Sequence, residues 1–242
     1  MPKLALRNPF LGLVSLIYPP FCAVCSRAVE GRENLCGSCS EQAPRIRPPF
    51  CAKCSQPFAG DITGSFTCAN CDERVLHFEA AVSAYRSRAV VRELIHHFKY
   101  NRQIHLRHQL GRWLTEALED PRLSGRRFDC IVPVPLHPAR QRERGFNQAE
   151  LLAAILQRRS GLPVRDLLQR TRYTTTQTQF DRSERMENLR GAFRLRRGSN
   201  VQDLRMLLVD DVLTTGSTLS ECASVLRAAG ALSVHAATVA RG

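Results

Sequence analysis

The stretch Leu207-Leu208-Val209-Asp210-Asp211-Val212-Leu213-Thr214-Thr215-Gly216-Ser217-Thr218 decides how this chain folds. Its apolar start, from Met206 to Val209, reads as a buried strand, and the two carboxylates follow where that strand should emerge from its sheet. Residues 214–218 then make a small, glycine-containing turn into an amphipathic helix with Leu219, Cys222, Ala223 and Leu226 on one face. Backbone N–H groups at such a turn and at a helix N-terminus favour an anion such as phosphate, and adjacent carboxylates accept hydrogen bonds from ribose hydroxyls. The segment therefore has the makings of a phosphosugar site. A generic Rossmann-like crossover with an acidic helix cap requires neither two acids nor two threonines and a glycine in this order.

Eight of the ten cysteines fall into four Cys-x-x-Cys pairs: Cys22/Cys25, Cys36/Cys39, Cys51/Cys54 and Cys68/Cys71. Each pair has the spacing of a knuckle that points two thiolates at one metal, and two knuckles complete a tetrahedral four-cysteine zinc site. The spacing is compatible with sequential pairing, Cys22, Cys25, Cys36 and Cys39 at one zinc and Cys51, Cys54, Cys68 and Cys71 at the other. That pairing is the simplest, and an interleaved cross-brace is the alternative. Disulfides would call for an oxidising compartment and usually a secretion signal. The apolar stretch over residues 10–21 makes no convincing signal, because Gly12 and Pro19-Pro20 break it and it runs into a knuckle. It is also too short to span a bilayer, so no stable membrane span is expected. A site closed by four thiolates is structural, which assigns both zinc ions to folding. Cys130 and Cys222 stand alone in apolar patterns and read as small core residues.

A chain of 242 residues with 43% hydrophobic content accommodates one medium domain and a small metal-stabilised one. The expected organisation is an amphipathic helix over residues 1–20, a double zinc ribbon over 21–78 and an α/β domain over 79–242. Within the last, strands are expected at 81–85, 128–134, 205–209 and 233–239. Helices are expected at 89–100, 104–118, 147–159 and 217–229. Strands alternating with helices imply a parallel sheet flanked by helices on both faces.

Two further segments look functional. The loop Pro133-Val-Pro-Leu-His-Pro-Ala-Arg-Gln-Arg-Glu-Arg-Gly-Phe-Asn-Gln148 combines rigid prolines with Arg140, Arg142 and Arg144, cations suited to a ligand with several negative charges. Asn147 is placed to cap the helix that follows. Residues 171–193 are polar, rich in Thr and Gln, and long enough for a lid, with a helix expected over 181–189.

The formal charge is +13, and it is uneven: residues 1–78 carry 8 Lys+Arg against 6 Asp+Glu, leaving 27 against 16 for the rest. Two filled four-thiolate zinc sites would lower the total to roughly +9. The surplus belongs to the C-terminal domain and suits polyanions, and arginine pairs at 126–127, 158–159 and 196–197 suit phosphates and bases.

The segment from Leu207 to Thr218 closely resembles the phosphoribosyl pyrophosphate (PRPP) signature of the type I phosphoribosyltransferases. That resemblance implies that Asp210 and Asp211 hold the ribose 2′- and 3′-hydroxyls. It also implies that Thr214, Thr215, Gly216, Ser217 and Thr218 wrap the 5′-phosphate, and that the Arg140, Arg142 and Arg144 loop stands in the position of the pyrophosphate loop. A hood loop of that family would bring Gln177, Arg182 or Arg185 toward the ligand. The Cys-x-x-Cys pairs, the Val-Pro-Val-Pro-Leu-His-Pro and Arg-Glu-Arg-Gly-Phe-Asn-Gln block, the Gln-Thr-Gln to Asn-Leu-Arg-Gly-Ala-Phe block and the PRPP signature, in that order, resemble the ComF/GntX-like family. This resemblance covers essentially the whole chain. It implies a type I phosphoribosyltransferase-like α/β fold behind a double zinc ribbon, PRPP and Mg²⁺ as ligands, and a part in competence or the use of external DNA. The expected protein is cytoplasmic, binds single-stranded DNA, and works with a DNA-translocating helicase or other competence proteins. Two alternatives accompany this reading: an active phosphoribosyltransferase, with Asp210 and Asp211 as its catalytic residues and an unknown acceptor, and a zinc-ribbon adaptor with a non-catalytic site.

Overall fold

The computed structural model describes residues 21–30, 33–62, 64–173 and 189–242. The helix expected over residues 1–20 and the lid residues Gln177, Arg182 and Arg185 lie outside the described residues. Six strands follow one another among those described: β1 (Ala81–Arg86), β2 (Cys130–Pro133), β3 (Leu168–Arg170), β4 (Phe193–Leu195), β5 (Arg205–Leu213) and β6 (Ser233–Arg241). Four of them form a parallel sheet in the order β1, β6, β5, β2, while β3 and β4 make a separate antiparallel pair. The central strands are buried on both faces, which is why they read as continuous apolar runs.

Seven helices complete the described chain: α1 (Gly37–Glu41), α2 (Ala69–Asp72), α3 (Ala89–Tyr100), α4 (Arg107–Ala117), α5 (Pro138–Arg144), α6 (Gln148–Ser160) and α7 (Ser217–Ala228). Alternation along β5 sends Leu207 and Val209 into a core with Leu110, Leu114, Leu152 and Leu156 of α4 and α6. Met206 and Leu208 go the other way, into a core with Leu219, Ala223 and Leu226 of α7 and Phe193 of β4. Helices α4 and α6 touch at Gly111, where a Cβ would lie 2.7 Å from Ile155 Cγ2. Among the described residues, no helix is long and apolar enough to cross a membrane.

The N-terminal module is one design used twice. Pro-Phe-Cys-Ala-x-Cys-Ser occurs at residues 20–26 and again at 49–55. Cys22 N–H donates to the Arg27 carbonyl at 2.8 Å, and Cys51 N–H to that of Gln56 at 2.9 Å. Ser26 and Ser55 both take a left-handed φ of 58°. The third cysteine of each set, Cys36 or Cys68, stands at the N-cap of a short helix, α1 or α2. The duplication is legible in the sequence once the residues around each first knuckle are aligned, beyond the repeat of the knuckles alone.

The two ribbons straddle β1, the edge strand. Cys22, Cys36 and Cys39 join the α4–α6 core, and Cys51, Cys54 and Cys71 join the α7 core. Ile46 N–H donates to Ala84 O at 2.9 Å, Arg86 N–H to Pro44 O at 2.8 Å, and Ala81 N–H to Lys53 O at 2.8 Å. Ser55 Oγ, fully buried, donates to Ala81 O at 3.0 Å and accepts from Ser83 N–H at 3.2 Å. The module thus satisfies backbone groups that an open sheet edge would leave exposed.

Three local expectations change. β5 does not end at Val209 but runs to Leu213, because its pairing with β6 continues through Leu213↔Arg241, so both carboxylates sit within a strand. The arginine-rich stretch is not a loop throughout: Pro138–Arg144 is helical, started by His137 and Pro138 and ended at Gly145 with φ +86°. The helix expected from residue 104 begins with a 3₁₀ turn over Ile104–Leu106 before α4.

Candidate functional site

A cavity of about 410 Å³ opens at the carboxyl ends of β2 and β5, where parallel sheets commonly present ligand sites. Each wall is set by a local device. On α3, Arg92, His96 and Lys99 follow one helical face toward the cavity, while Leu94, Ile95 and Phe98 are buried. On α5, Arg140 and Arg144 stand one turn apart and both line the cavity, whereas Arg142, between them, is exposed and does not. His137 Nδ1 accepts from Ala139 N–H at 3.2 Å and so caps α5. Asn147 caps α6 by accepting from Ala149 N–H at 3.0 Å, and its amide donates to Val134 O at 3.1 Å, fastening the helix to the end of β2. Arg144 donates to Gln148 at 2.5 Å and lies over the Tyr100 ring at 5.5 Å. Arg170, from β3, closes the far side.

The acid pair forms the floor. Asp210 Oδ1 accepts from Asp211 N–H at 2.8 Å, and Asp211 Oδ1 accepts from Val212 N–H at 3.0 Å. Both carboxylates are buried, and Asp211 is ion-paired with Lys99 Nζ. Burial, then the neighbouring Asp211 charge, pushes the Asp210 carboxyl up to about 7, with Lys99 acting in the opposite direction. Burial pulls the Arg170 guanidinium down, and nearby Asp210 opposes that. Among the described residues, five cations, Arg92, Lys99, Arg140, Arg144 and Arg170, line the cavity, and its acids are Asp210 and Asp211. Such a surplus suits a polyanion.

Of the residues the sequence singled out, Asp210, Asp211, Thr214, Thr218, Arg140 and Arg144 meet in this cavity. Thr215, Gly216 and Ser217 form the turn beside it without lining it. Gly216, at the N-cap of α7, has φ +81°, a conformation that a side chain would strain. Sequence reasoning missed Lys99, Arg92, His96 and Arg170, while His137 and Gln148 lay in the 133–148 segment it singled out without a role of their own. For the first three a signal was available on α3, where Arg92, His96 and Lys99 repeat on a single polar face.

The cysteines settle into two tetrads, Cys22, Cys25, Cys36, Cys39 and Cys51, Cys54, Cys68, Cys71, the sulfurs of each lying within 4.8 Å of one another. The pairing is therefore sequential and not a cross-brace. Cys25 and Cys36 sulfurs are 3.6 Å apart and Cys54 and Cys68 sulfurs 3.7 Å. A disulfide needs about 2 Å. The edge of a zinc–thiolate tetrahedron with bonds of about 2.3 Å is about 3.8 Å, so the donor set fits zinc. The thiols also pull against one another. A hydrogen bond with Ser38 draws Cys36 down to about 6, while burial pushes Cys39 up. Cys54 lowers Cys51, and Cys51 in turn raises Cys54 to about 11. A divalent cation shared by four thiolates replaces that competition for protons. Cys130 and Cys222 are fully buried in the core with thiols raised by burial, as expected of packing residues.

Two family models and the sequence relatives agree with this architecture. The double zinc ribbon domain family matches residues 13–72, and the phosphoribosyl transferase domain family matches residues 142–242. DNA utilization protein YhgH of Salmonella typhimurium is 34% identical over 88% of this chain and 87% of its own length. Competence protein F of Haemophilus influenzae is 34% identical over 72% of this chain and 78% of its own. Among solved structures, glutamine PRPP amidotransferase from B. subtilis is 25% identical, with a TM-score of 0.35, covering 54% of this chain and 25% of that one. With two ordered cysteine tetrads, a phosphoribosyltransferase-type parallel sheet and relatives matched along most of their length, the chain belongs to the ComF family, alongside the DNA utilization and competence F proteins.

Proposed function

We propose that the cavity binds PRPP with Mg²⁺, within a cytoplasmic DNA-uptake or DNA-utilisation factor that also holds single-stranded DNA. The observation that carries this reading is the buried acid pair facing five cations at the carboxyl edge of the sheet. Asp210 and Asp211 accept hydrogen bonds from the ribose hydroxyls, residues 214–218 anchor the 5′-phosphate beside the α7 N-terminus, and Arg140 and Arg144 face the pyrophosphate. Lys99 neutralises Asp211 in the free protein and is released to a ligand phosphate when sugar hydroxyls take its place on the carboxylate. Carboxylate and pyrophosphate offer the hard oxygen donors that Mg²⁺ prefers, and when bound the ion neutralises pyrophosphate charge.

The DNA half of the proposal rests on the names of the relatives and on the basic surplus of residues 79–242. Neutralising phosphates with arginine releases counterions, so affinity for a fluorescent oligonucleotide is expected to fall steeply and log-linearly with salt. Affinity that is absent or independent of salt would remove DNA binding from the account.

A second reading, transfer of phosphoribose to an acceptor, is favoured by the buried acid pair, with Asp210 and Asp211 orienting the ribose. In that reaction the bond from the anomeric carbon to pyrophosphate breaks, the acceptor bond forms, and the acceptor proton leaves to solvent. Pyrophosphate release that depends on an added nucleobase or other acceptor would establish it.

A further inference from the structure

The second cysteine tetrad stands close to the turn assigned above to the phosphate, and its contacts run to the turn backbone. Arg74, just beyond α2, donates through Nη1 to the Thr215 carbonyl at 2.9 Å and through Nη2 to Ser217 Oγ at 3.1 Å. Asn70 lies between Cys68 and Cys71. Its amide donates to the same carbonyl at 3.4 Å, and its own oxygen accepts from Arg74 at 3.0 Å. Within the turn, Thr215 and Ser217 hydroxyls are 2.9 Å apart. A further link approaches from the other end. Arg241, buried, donates through Nη1 to the Leu213 carbonyl at 3.2 Å and directs Nη2 at Cys54 Sγ, 3.9 Å away. The ring of Phe78, itself buried, lies where a Cβ on Gly216 would meet it at 3.6 Å.

We infer that the second zinc centre is a positioning device for the phosphate turn, acting through Arg74, Asn70 and Arg241; the inference rests on the reading of residues 214–218 as the phosphate anchor. A turn leading into a helix presents backbone groups with no intrahelical partner, and its shape depends on what satisfies its carbonyls. Here the Thr215 carbonyl is held by a guanidinium, that of Leu213 accepts from Gly242 N–H at 2.8 Å as well as from Arg241, and the planar fork of Arg74 joins a carbonyl and a hydroxyl of the turn at once. Charge contributes as well. Zinc with four thiolates carries about −2. Arg241 offsets that charge where it is buried, and Arg74 places a cation behind the anion site. Outer-shell partners of this kind orient both the metal site and whatever else they touch. The first tetrad packs in the opposite core, with α3 and α4, and serves as an internal control.

The test is amide hydrogen exchange over residues 213–220, read with zinc content and with Mg-PRPP affinity, in wild type, Arg74→Ala and Arg74→Lys. Arg74→Ala is expected to retain both zinc ions, to raise exchange in the turn about tenfold, and to weaken Mg-PRPP binding by about tenfold, a difference of about 1.4 kcal/mol. Arg74→Lys restores charge without the fork and is expected to fall between. Cys25→Ser, at the first tetrad, is expected to leave exchange in the turn unchanged. Unchanged exchange in an Arg74→Ala protein that keeps its zinc would overturn the inference, whether or not wild type binds ligand. Lost protection with unaltered affinity would instead support the coupling and count against the phosphate reading of the turn.

Discussion

Asp211 shows what a linear sequence reveals about a residue and what it hides. The acid pair was legible, because two carboxylates after an apolar strand and before a Thr-Thr-Gly turn have few other uses. Its counter-ion was not. Lys99 lies over a hundred positions earlier, on a helix whose apolar periodicity says only which face is buried, and folding alone brings it to Asp211. Arg170 was hidden for the same reason, since β3 is a short strand with no periodic signal. Asp210 carries a consequence for pH. Its carboxyl ionises near 4 when unfolded and at about 7 when folded, so the native state holds an extra proton between those values. Stability contributed by this group is present below about pH 4 and is lost as pH rises through about 7. Asp210→Asn is therefore expected to stabilise the free protein more at pH 8 than at pH 5, by on the order of 5 °C in melting temperature. Melting curves across that range check it, and a difference that shrinks with rising pH would contradict the assigned shift.

Among the elements, long periodic segments were legible and special local chemistry was not. Helix α3 spans Ala89–Tyr100 as its 3.6-residue pattern indicates, because its apolar face packs as a unit. Helix α5 escaped notice because a proline-flanked, arginine-rich stretch has no apolar face; its cap, its Pro at the start and the left-handed Gly145 define it instead. That helix also explains why Arg140 and Arg144 reach the cavity while Arg142 does not: residues four apart share a face. The zinc knuckles were legible from spacing, and sequential pairing was the simplest reading of their partners, but deciding it against a cross-brace requires the fold. Their burial predicts a wider effect of metal loss than unfolding of the ribbons alone. Each tetrad contributes to one of the two cores, so chelation is expected to unfold residues 22–71 cooperatively and to lower the melting temperature of the whole chain. Limited proteolysis with differential scanning calorimetry checks both effects. Protease resistance and melting unchanged after complete zinc removal would contradict the structural role.

At the scale of the molecule, the parallel sheet organises everything else. One edge strand, β1, is covered by the ribbons, and the carboxyl ends of β2 and β5 open into the cavity. The basic surplus of residues 79–242 surrounds that opening with cations from α3, α5 and β3. Our proposal is that this pair takes the hydroxyls of a sugar and these cations its phosphates, together a working PRPP site. It is tested most directly by calorimetric titration of Mg-PRPP into zinc-loaded protein, at one fixed salt concentration, for wild type and for Asp210→Asn with Asp211→Asn. Saturable binding by wild type is expected, and at least a hundredfold loss in the double variant, about 3 kcal/mol, with zinc content unchanged. Equal affinity in the two proteins, or no binding by wild type, would contradict it.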